Sequence, residues 1–390
     1  MIGKELPLRP KLRFPEFDGD WIEAEVDWFL QKSSRPVDVQ NGQTYQEIGV
    51  RSHGKGVFHK EADVGETLGD KRVFWVVPDA LVLNIVFAWE QAVALTSKRE
   101  AGFIASHRFP MFLPRNERAD TRFARDFFLR PRGKWLLELA SPGGAGRNKT
   151  LGQSNFAELP VVWPPRPEQQ KIADFLGVVD ERIKLLQQRR DAVQRYKQGM
   201  MQRILSQSIR FKRDDGSAFP EWEECRLGDL LAYEQPTPYL VSSTEYDDSY
   251  LTPVLTAGKT FILGYTNETH GIYSKNLPVI IFDDFTTASK FVDFPFKAKS
   301  SAMKILKKKR NDDRISLLFD VLQSVKYVSG DHMRHWISEF QDFTVMFPQT
   351  QEQQKIADFL SALDDKIAAV SAQVDQMQAF KKGLLQQMFV

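Results

Sequence analysis

Two long stretches of this sequence place apolar side chains at alternating steps of four and three residues. In the first, positions 172, 176, 179, 183, 186, 190, 193, 197, 200 and 204 hold Ile, Leu, Val, Ile, Leu, Arg, Val, Lys, Met and Ile. In the second, positions 356, 360, 363, 367, 370, 374, 377, 381, 384 and 388 hold Ile, Leu, Leu, Ile, Val, Val, Met, Lys, Leu and Met. Steps of four and three put these side chains on one seam of a helix and predict that the seam packs against a partner helix. Pro167 suits a first helical turn, and Thr350 with Gln353 has the spacing of a capping box. Each helix of about 40 residues would be about 60 Å long. Elsewhere the apolar runs are short and bounded by Gly and Pro: Arg72–Val77, Pro278–Phe285 and Phe291–Phe296. Such runs predict strands, the stretch Ala80–Trp89 reads as one buried strand, and Asp312–Ser324 reads as a helix.

The two helical stretches are copies. Glu168–Leu176 and Glu352–Leu360 both read EQQKIADFL, an offset of 352 − 168 = 184 residues. The offset holds to the end of the chain: Asp180 falls on Asp364, Lys197 on Lys381 and Gly199 on Gly383. At the front of each half, Phe14-Pro15-Glu16 and Trp21 align with Phe219-Pro220-Glu221-Trp222. The chain is therefore expected to be α+β: blocks at 1–165 and 209–348, and helices at 166–208 and 349–390 that form an antiparallel coiled coil.

Composition narrows the class. An apolar fraction of 42% with 12% aromatics supports buried cores in both blocks. The single cysteine, Cys225, forms no intrachain disulfide and suits a reducing, cytoplasmic setting. No apolar run approaches the roughly 20 residues that span a bilayer, so no membrane partner is expected. Net charge is +2, so a nucleic-acid partner would require basic residues gathered locally.

Enzymatic signatures are weak. Gly258-Lys259-Thr260 suggests a phosphate-binding loop, but that motif needs glycine where Pro253 stands. The six histidines and one cysteine show no zinc spacing. Asp283-Asp284 could pass for nuclease carboxylates, yet no Glu-x-Lys follows. No cofactor and no metal are expected. A self-contained DNA modification enzyme and a coiled-coil scaffold without DNA binding are the alternatives.

Trp163–Ile183 and Phe347–Ile367, each leading into a long helix, resemble the repeated regions of type I restriction-modification specificity subunits. Phe219–Leu231 resembles the opening of that family's target-recognition domains, and Asp283–Leu306 resembles one type of such domain. The first opening, Phe14–Leu30, lacks the Leu227-Gly228-Asp229 of the second. The resemblance implies a non-catalytic subunit whose two blocks read the halves of a bipartite double-stranded DNA target. It also implies that the helices dock two methyltransferase subunits and, through them, two restriction subunits.

Phosphates are contacted by Lys and Arg, and base edges by Arg, Lys, Asn and Gln. On that chemistry the first block offers Arg51, His53, Lys55, Lys60, Arg72 and Lys98. The second offers Lys259, Tyr265, Asn267, Tyr273, Lys275 and Lys290. Gly143–Lys149 reads as a structural turn. For docking, the agreement between copies points to Gln169, Lys171, Asp174 and Asp180 with Gln353, Lys355, Asp358 and Asp364.

Overall fold

The structure, a computed structural model, describes residues 9–69, 71–143, 149–256, 260–325, 336 and 339–390. The chain divides into two compact units, Met1–Gln187 with Ala372–Val390, and Gln188–Ser371. Both mix helix and strand, and each contains half of both long helices, Arg166–Leu205 and Thr350–Gln387.

The first unit holds two four-stranded sheets. One runs in the order Leu30–Ser33, Met111–Pro114, Leu81–Leu83, Val93–Leu95, all antiparallel. The other runs in the order Val57–Val64, Thr44–Val50, Ile104–Ser106, Val73–Trp75. A two-stranded ribbon pairs Ile22–Glu25 with Pro160–Trp163 and feeds directly into the first long helix. Beside it the helix Thr121–Phe128 is capped by Asp120, whose carboxylate accepts from the amides of Arg122 and Phe123. Helix Pro131–Leu139 follows with proline in its first turn. There Gly133 lies so close to Phe127 that a Cβ would meet the Phe127 carbonyl oxygen at 2.3 Å.

The second unit repeats this plan. A four-stranded sheet runs in the order Leu231–Glu234, Met303–Lys308, Val279–Asp283, Ser289–Val292. A three-stranded sheet runs Ile262–Thr266, Thr252–Leu255, Lys297–Ala298. The ribbon pairs Glu223–Arg226 with Thr344–Phe347, and helix Ile315–Ser324 takes the place of Thr121–Phe128.

The predicted seam is where packing occurs. In the first unit Ile172, Leu176 and Val179 share a core with Leu384, Met388 and Phe389. In the second, Ile204 shares a core with Ile356 and Leu360. The start of one helix thus lies with the end of the other, and the pairing is antiparallel. Every seam position of both helices is buried or half-buried. Lys197 and Lys381, polar within that seam, bind carboxylates of the opposite helix: Lys197 to Asp364 at 2.7 Å and Lys381 to Asp180 at 2.6 Å. The helices pack along a stripe only, and among the described residues no helix is long and apolar enough to cross a membrane.

Several local expectations are corrected. The run Ala80–Trp89 is a strand only over Leu81–Leu83. Asn84 then turns the chain by accepting the Val86 amide on its side chain. Helix Asp312–Ser324 begins at Ile315. Gln353 does not fold back as a capping box, because its carboxamide accepts from Arg314 and donates to Asp313 and Pro348. The front of the repeat also shifts. Phe14 packs edge-on against Phe175, and its counterpart against Phe359 is Phe211, not Phe219. Without the Leu-Gly-Asp motif, Val26–Phe29 still forms the same single helical turn as Leu227–Leu230. What that turn requires is its buried pair, Val26 and Phe29 in one copy, Leu227 and Leu230 in the other.

Candidate nucleic-acid interface

Each block is fastened to its long helix by a duplicated set of buried polar contacts. Glu168 accepts two 2.7 Å hydrogen bonds from the Arg13 guanidinium and one of 3.3 Å from the Trp21 indole. Glu352 does the same with Arg210, at 3.3 and 2.9 Å, and Trp222, at 2.9 Å. The hydrogen bond to the carboxylate raises the pKa of Arg13, and likewise that of Arg210. Gln169 accepts from the Asp120 amide and donates to the Arg118 and Pro164 carbonyls. Gln353 accepts from the Arg314 amide and donates to Pro348.

This overturns part of the docking expectation. Gln169 and Gln353 are 0% and 2% exposed, so they hold the blocks in place and offer nothing to a partner. Lys171 pairs with Glu16 and Lys355 with Asp214. Asp174 pairs with Arg122, while Asp358 accepts from Gln354. Asp180 and Asp364 hold the seam lysines described above. The copies make the same contacts at Gln169 and Gln353 and at Asp180 and Asp364, and different ones at the other two positions.

The lock continues into a carboxylate on the neighbouring helix, buried in the first copy and half-buried in the second. Asp126 and Asp320 are equivalent by the spacing that relates Asp120 to Arg314, since 314 − 120 = 320 − 126 = 194. Burial pushes the Asp126 carboxyl up, against Arg125 and Lys381, with Asp180 adding to the shift. Burial likewise pushes Asp320 up to about 6, with Lys197 opposing and Asp364 reinforcing. A carboxyl raised in the fold favours folding while protonated. Its contribution is complete below about pH 4 and is lost as pH rises through 6. Asp320→Asn should therefore match the wild type near pH 4 and exceed it by about 1 kcal/mol at pH 7.5 in urea unfolding. A variant that is less stable at pH 7.5 would contradict this.

The first-block cations sit on turns. Arg51, His53 and Lys55 are exposed on the hairpin between Thr44–Val50 and Val57–Val64. Positive φ at His53, Gly54 and Gly56 makes the turn tight. Amides of His53 and Gly54 bind the carbonyls of Glu90 and Gln91, so the turn is anchored. Lys98 is exposed on the short helix Lys98–Glu100, which Ser97 and Glu100 close as a capping box. His59, on the hairpin, reaches Glu100 at 3.0 Å and joins these two regions. Arg72 lines a cavity of about 150 Å³ with Lys32 and His107, two residues that sequence reasoning missed. Lys60 differs from the others. It pairs with buried Glu47 at 3.0 Å, as Lys71 does at 2.7 Å. Burial pushes Glu47 up, but these two lysines outweigh it and hold the carboxyl below its ordinary value.

In the second block Tyr265 is half-buried on strand Ile262–Thr266, and Asn267 and Lys275 are exposed. The segment carrying them is pinned by Lys297, which is 1% exposed and binds Glu268 at 2.7 Å and the His270 carbonyl at 2.8 Å. That hydrogen bond, with those of the Ser243 and Ser242 amides, holds Glu268 down at about 2. Gly271, at φ +59°, lies where a Cβ would meet the Pro238 carbonyl oxygen at 2.7 Å. Tyr273 is corrected: it is buried, stacks on Phe296 at 5.1 Å and meets Tyr239 edge-on at 4.9 Å. Burial pushes its hydroxyl up to about 12, so it supports the segment from below. Lys290 opens instead onto a cleft lined by Arg195, Lys197, Asp320, Gln323 and Asp364. Lys259, Gly258 and residues 144–148 lie outside the described residues.

Among the described residues, no group of three or more His, Cys, Asp or Glu could hold a metal ion. The polar chemistry is thus of two kinds: buried locks, and exposed cations on anchored turns.

The comparisons agree with this duplicated plan. The chain is 45% identical to the type I restriction enzyme EcoR124I/EcoR124II specificity subunit of Escherichia coli, over 42% of this chain and 46% of that one. It is 23% identical to the putative type I restriction enzyme MjaX specificity subunit of Methanocaldococcus jannaschii, over 62% of this chain and 61% of that one. The chain thus spans about half the length of the curated relatives it matches. Its fold is similar to that of the type I restriction-modification system S subunit from M. genitalium, with a TM-score of 0.61 at 15% identity, over 98% and 99% of the two chains. The profile of the type I restriction modification DNA specificity domain matches it twice, at residues 83–195 and 220–376. With more than half its length so matched, the chain belongs to the type I restriction-modification DNA specificity family.

Proposed function

We propose that the chain is a DNA sequence-specificity subunit that supplies recognition and no chemistry. Each block, 1–165 and 209–348, reads one half of a bipartite double-stranded target. The helices, 166–208 and 349–390, fix the gap between halves and dock two methyltransferase subunits, through which two restriction subunits join. The observation that carries this reading is the duplicated lock of Glu168 and Gln169, Glu352 and Gln353. A rigid attachment of each block to a long helix is what a fixed gap demands. A helix of 40 residues measures about 60 Å, close to two turns of B-DNA. The exposed residues Arg51, His53, Lys55, Arg72 and Lys98 are proposed to meet DNA in the first block. Asn267, Lys275, Lys290 and half-buried Tyr265 are proposed for the second.

Co-expression with a methyltransferase subunit, followed by mapping of methylated adenines, tests the reading. A split motif with a constant gap is expected, and an undivided motif or none rejects it. In direct binding, Lys275→Ala should weaken affinity and lower the salt slope of log K by about 1. Tyr273→Phe should leave the slope unchanged, because the ring is buried.

A further inference from the structure

Two aromatic side chains on the long helices are exposed at equivalent places. Tyr196 and Phe380 are separated by the repeat offset, 380 − 196 = 184, and are 54% and 51% exposed. Three residues beyond each stands a glycine inside the helix, Gly199 and Gly383. Positions three apart are neighbours on one helical face. A Cβ built at either glycine meets nothing within 4 Å. The chain's own packing therefore gives no reason for glycine there, although glycine is among the poorest helix formers. Neighbouring positions have diverged between the copies, Arg195 against Ala379 and Gln198 against Lys382, while aromatic and glycine recur. A missing side chain beside an exposed ring leaves a notch into which another backbone or side chain fits closely.

The flanks of the two notches differ in charge. Residues 188–205 carry five cations to one carboxylate, and the equivalent 372–389 carry two to one. Lys197 and Arg190 are paired, with Asp364 and Asp191. Arg189, Arg195 and Arg203 are exposed and form no ion pair among the described residues. Their repeat counterparts are Gln373, Ala379 and Gln387.

We propose that Tyr196 with Gly199, and Phe380 with Gly383, are two docking notches for two copies of one partner subunit. The partner presents an apolar ridge with an acidic rim, and the arginine-flanked notch takes its copy more tightly and with stronger salt dependence. This rests on the reading that the helices dock two methyltransferase subunits. A ring of that size covered by a partner contributes apolar contact at both sites, whereas only one site adds three charge pairs.

Titration of the full chain with the purified methyltransferase subunit, followed by sedimentation at about 0.05 M and about 0.5 M salt, tests the proposal. Two equivalents are expected, differing about tenfold in affinity at low salt and converging at high salt. Gly199→Leu and Gly383→Leu fill open space and improve helix propensity, so both should fold and melt no lower than the wild type. Each should lose one equivalent: Gly199→Leu the salt-sensitive one, Gly383→Leu the other. Changing Arg189 to Gln, Arg195 to Ala and Arg203 to Gln together should make the two sites alike. If the wild-type chain takes up no methyltransferase subunit, the docking reading itself falls. If it takes up two and both leucine variants still do so with unchanged affinity, only the notches are overturned.

Discussion

Glu352→Ala should cost the chain about 3 kcal/mol of unfolding free energy, and Glu168→Ala about the same. Both carboxylates are 1% exposed, and each satisfies a guanidinium and an indole that have been withdrawn from water. Removing one partner of such a pair leaves the other charge without compensation, which is the expensive case for a buried ion pair. The indole donors of Trp21 and Trp222 are orphaned at the same time. The side chains of Arg13 and Arg210 are 14% and 21% exposed, which lets water recover part of the loss and places the estimate at the low end. Glu352→Gln, which retains one acceptor, should lose about half as much. Urea unfolding followed by tryptophan fluorescence reads the stability of both variants. Losses below about 1 kcal/mol in both alanine variants would mean that the locks do not hold the blocks. The functional corollary is separable. On the proposed function, a block that swings on its helix should direct a co-expressed methyltransferase subunit to sites with a variable gap before the chain itself unfolds.

The long helices and their seam were legible because helix periodicity is local: ten positions at steps of four and three define a face without reference to anything distant. The duplication was legible for the same reason. The locks were hidden, although their residues lay inside the most obvious motif of the chain. Gln169 and Gln353 occupy positions that look solvent-facing on the helix, and only the loop ending at Asp120 or Arg314, brought in by the fold, buries them. Tyr273 failed as a surface residue through the same non-local cause, stacked on Phe296, and half-buried Lys60 is drawn to buried Glu47. Strand order was out of reach because neighbours such as Leu231–Glu234 and Met303–Lys308 are far apart in sequence. The front alignment slipped because its aromatic anchors, Phe14 and Phe211, are recognisable only by the ring each one meets. A repeat signals itself in the residues that stay identical. Tyr196 and Phe380, different residues in the same role, became visible only when exposure was added to position.

Lys304→Met should destabilise the chain by about 3–5 kcal/mol, whereas Lys304→Met combined with Asp284→Asn should come within about 1 kcal/mol of the wild type. Lys304, on strand Met303–Lys308, and Asp284, just past the end of strand Val279–Asp283, are 0% and 1% exposed and lie 3.3 Å apart. The lysine also sits 5.3 Å from the Tyr233 ring centroid. Its methylene stem suits that surround, and methionine reproduces most of it, so the single variant chiefly subtracts a charge. What remains is an aspartate carboxylate deep in the fold with no cation beside it among the described residues. Asparagine removes that charge while keeping an oxygen to accept the Trp336 amide, which Asp284 now does at 3.0 Å. The double variant is expected to lose less than the single one, the reverse of additive losses, because the cost lies in the unpaired charge and not in the missing bond. The pair also accounts for a sequence feature that resembled nuclease carboxylates. Asp283 accepts the amides of Phe285 and Thr286 in a turn, and Asp284 neutralises Lys304. A double variant as unstable as the single one would show that the ion pair itself stabilises the core.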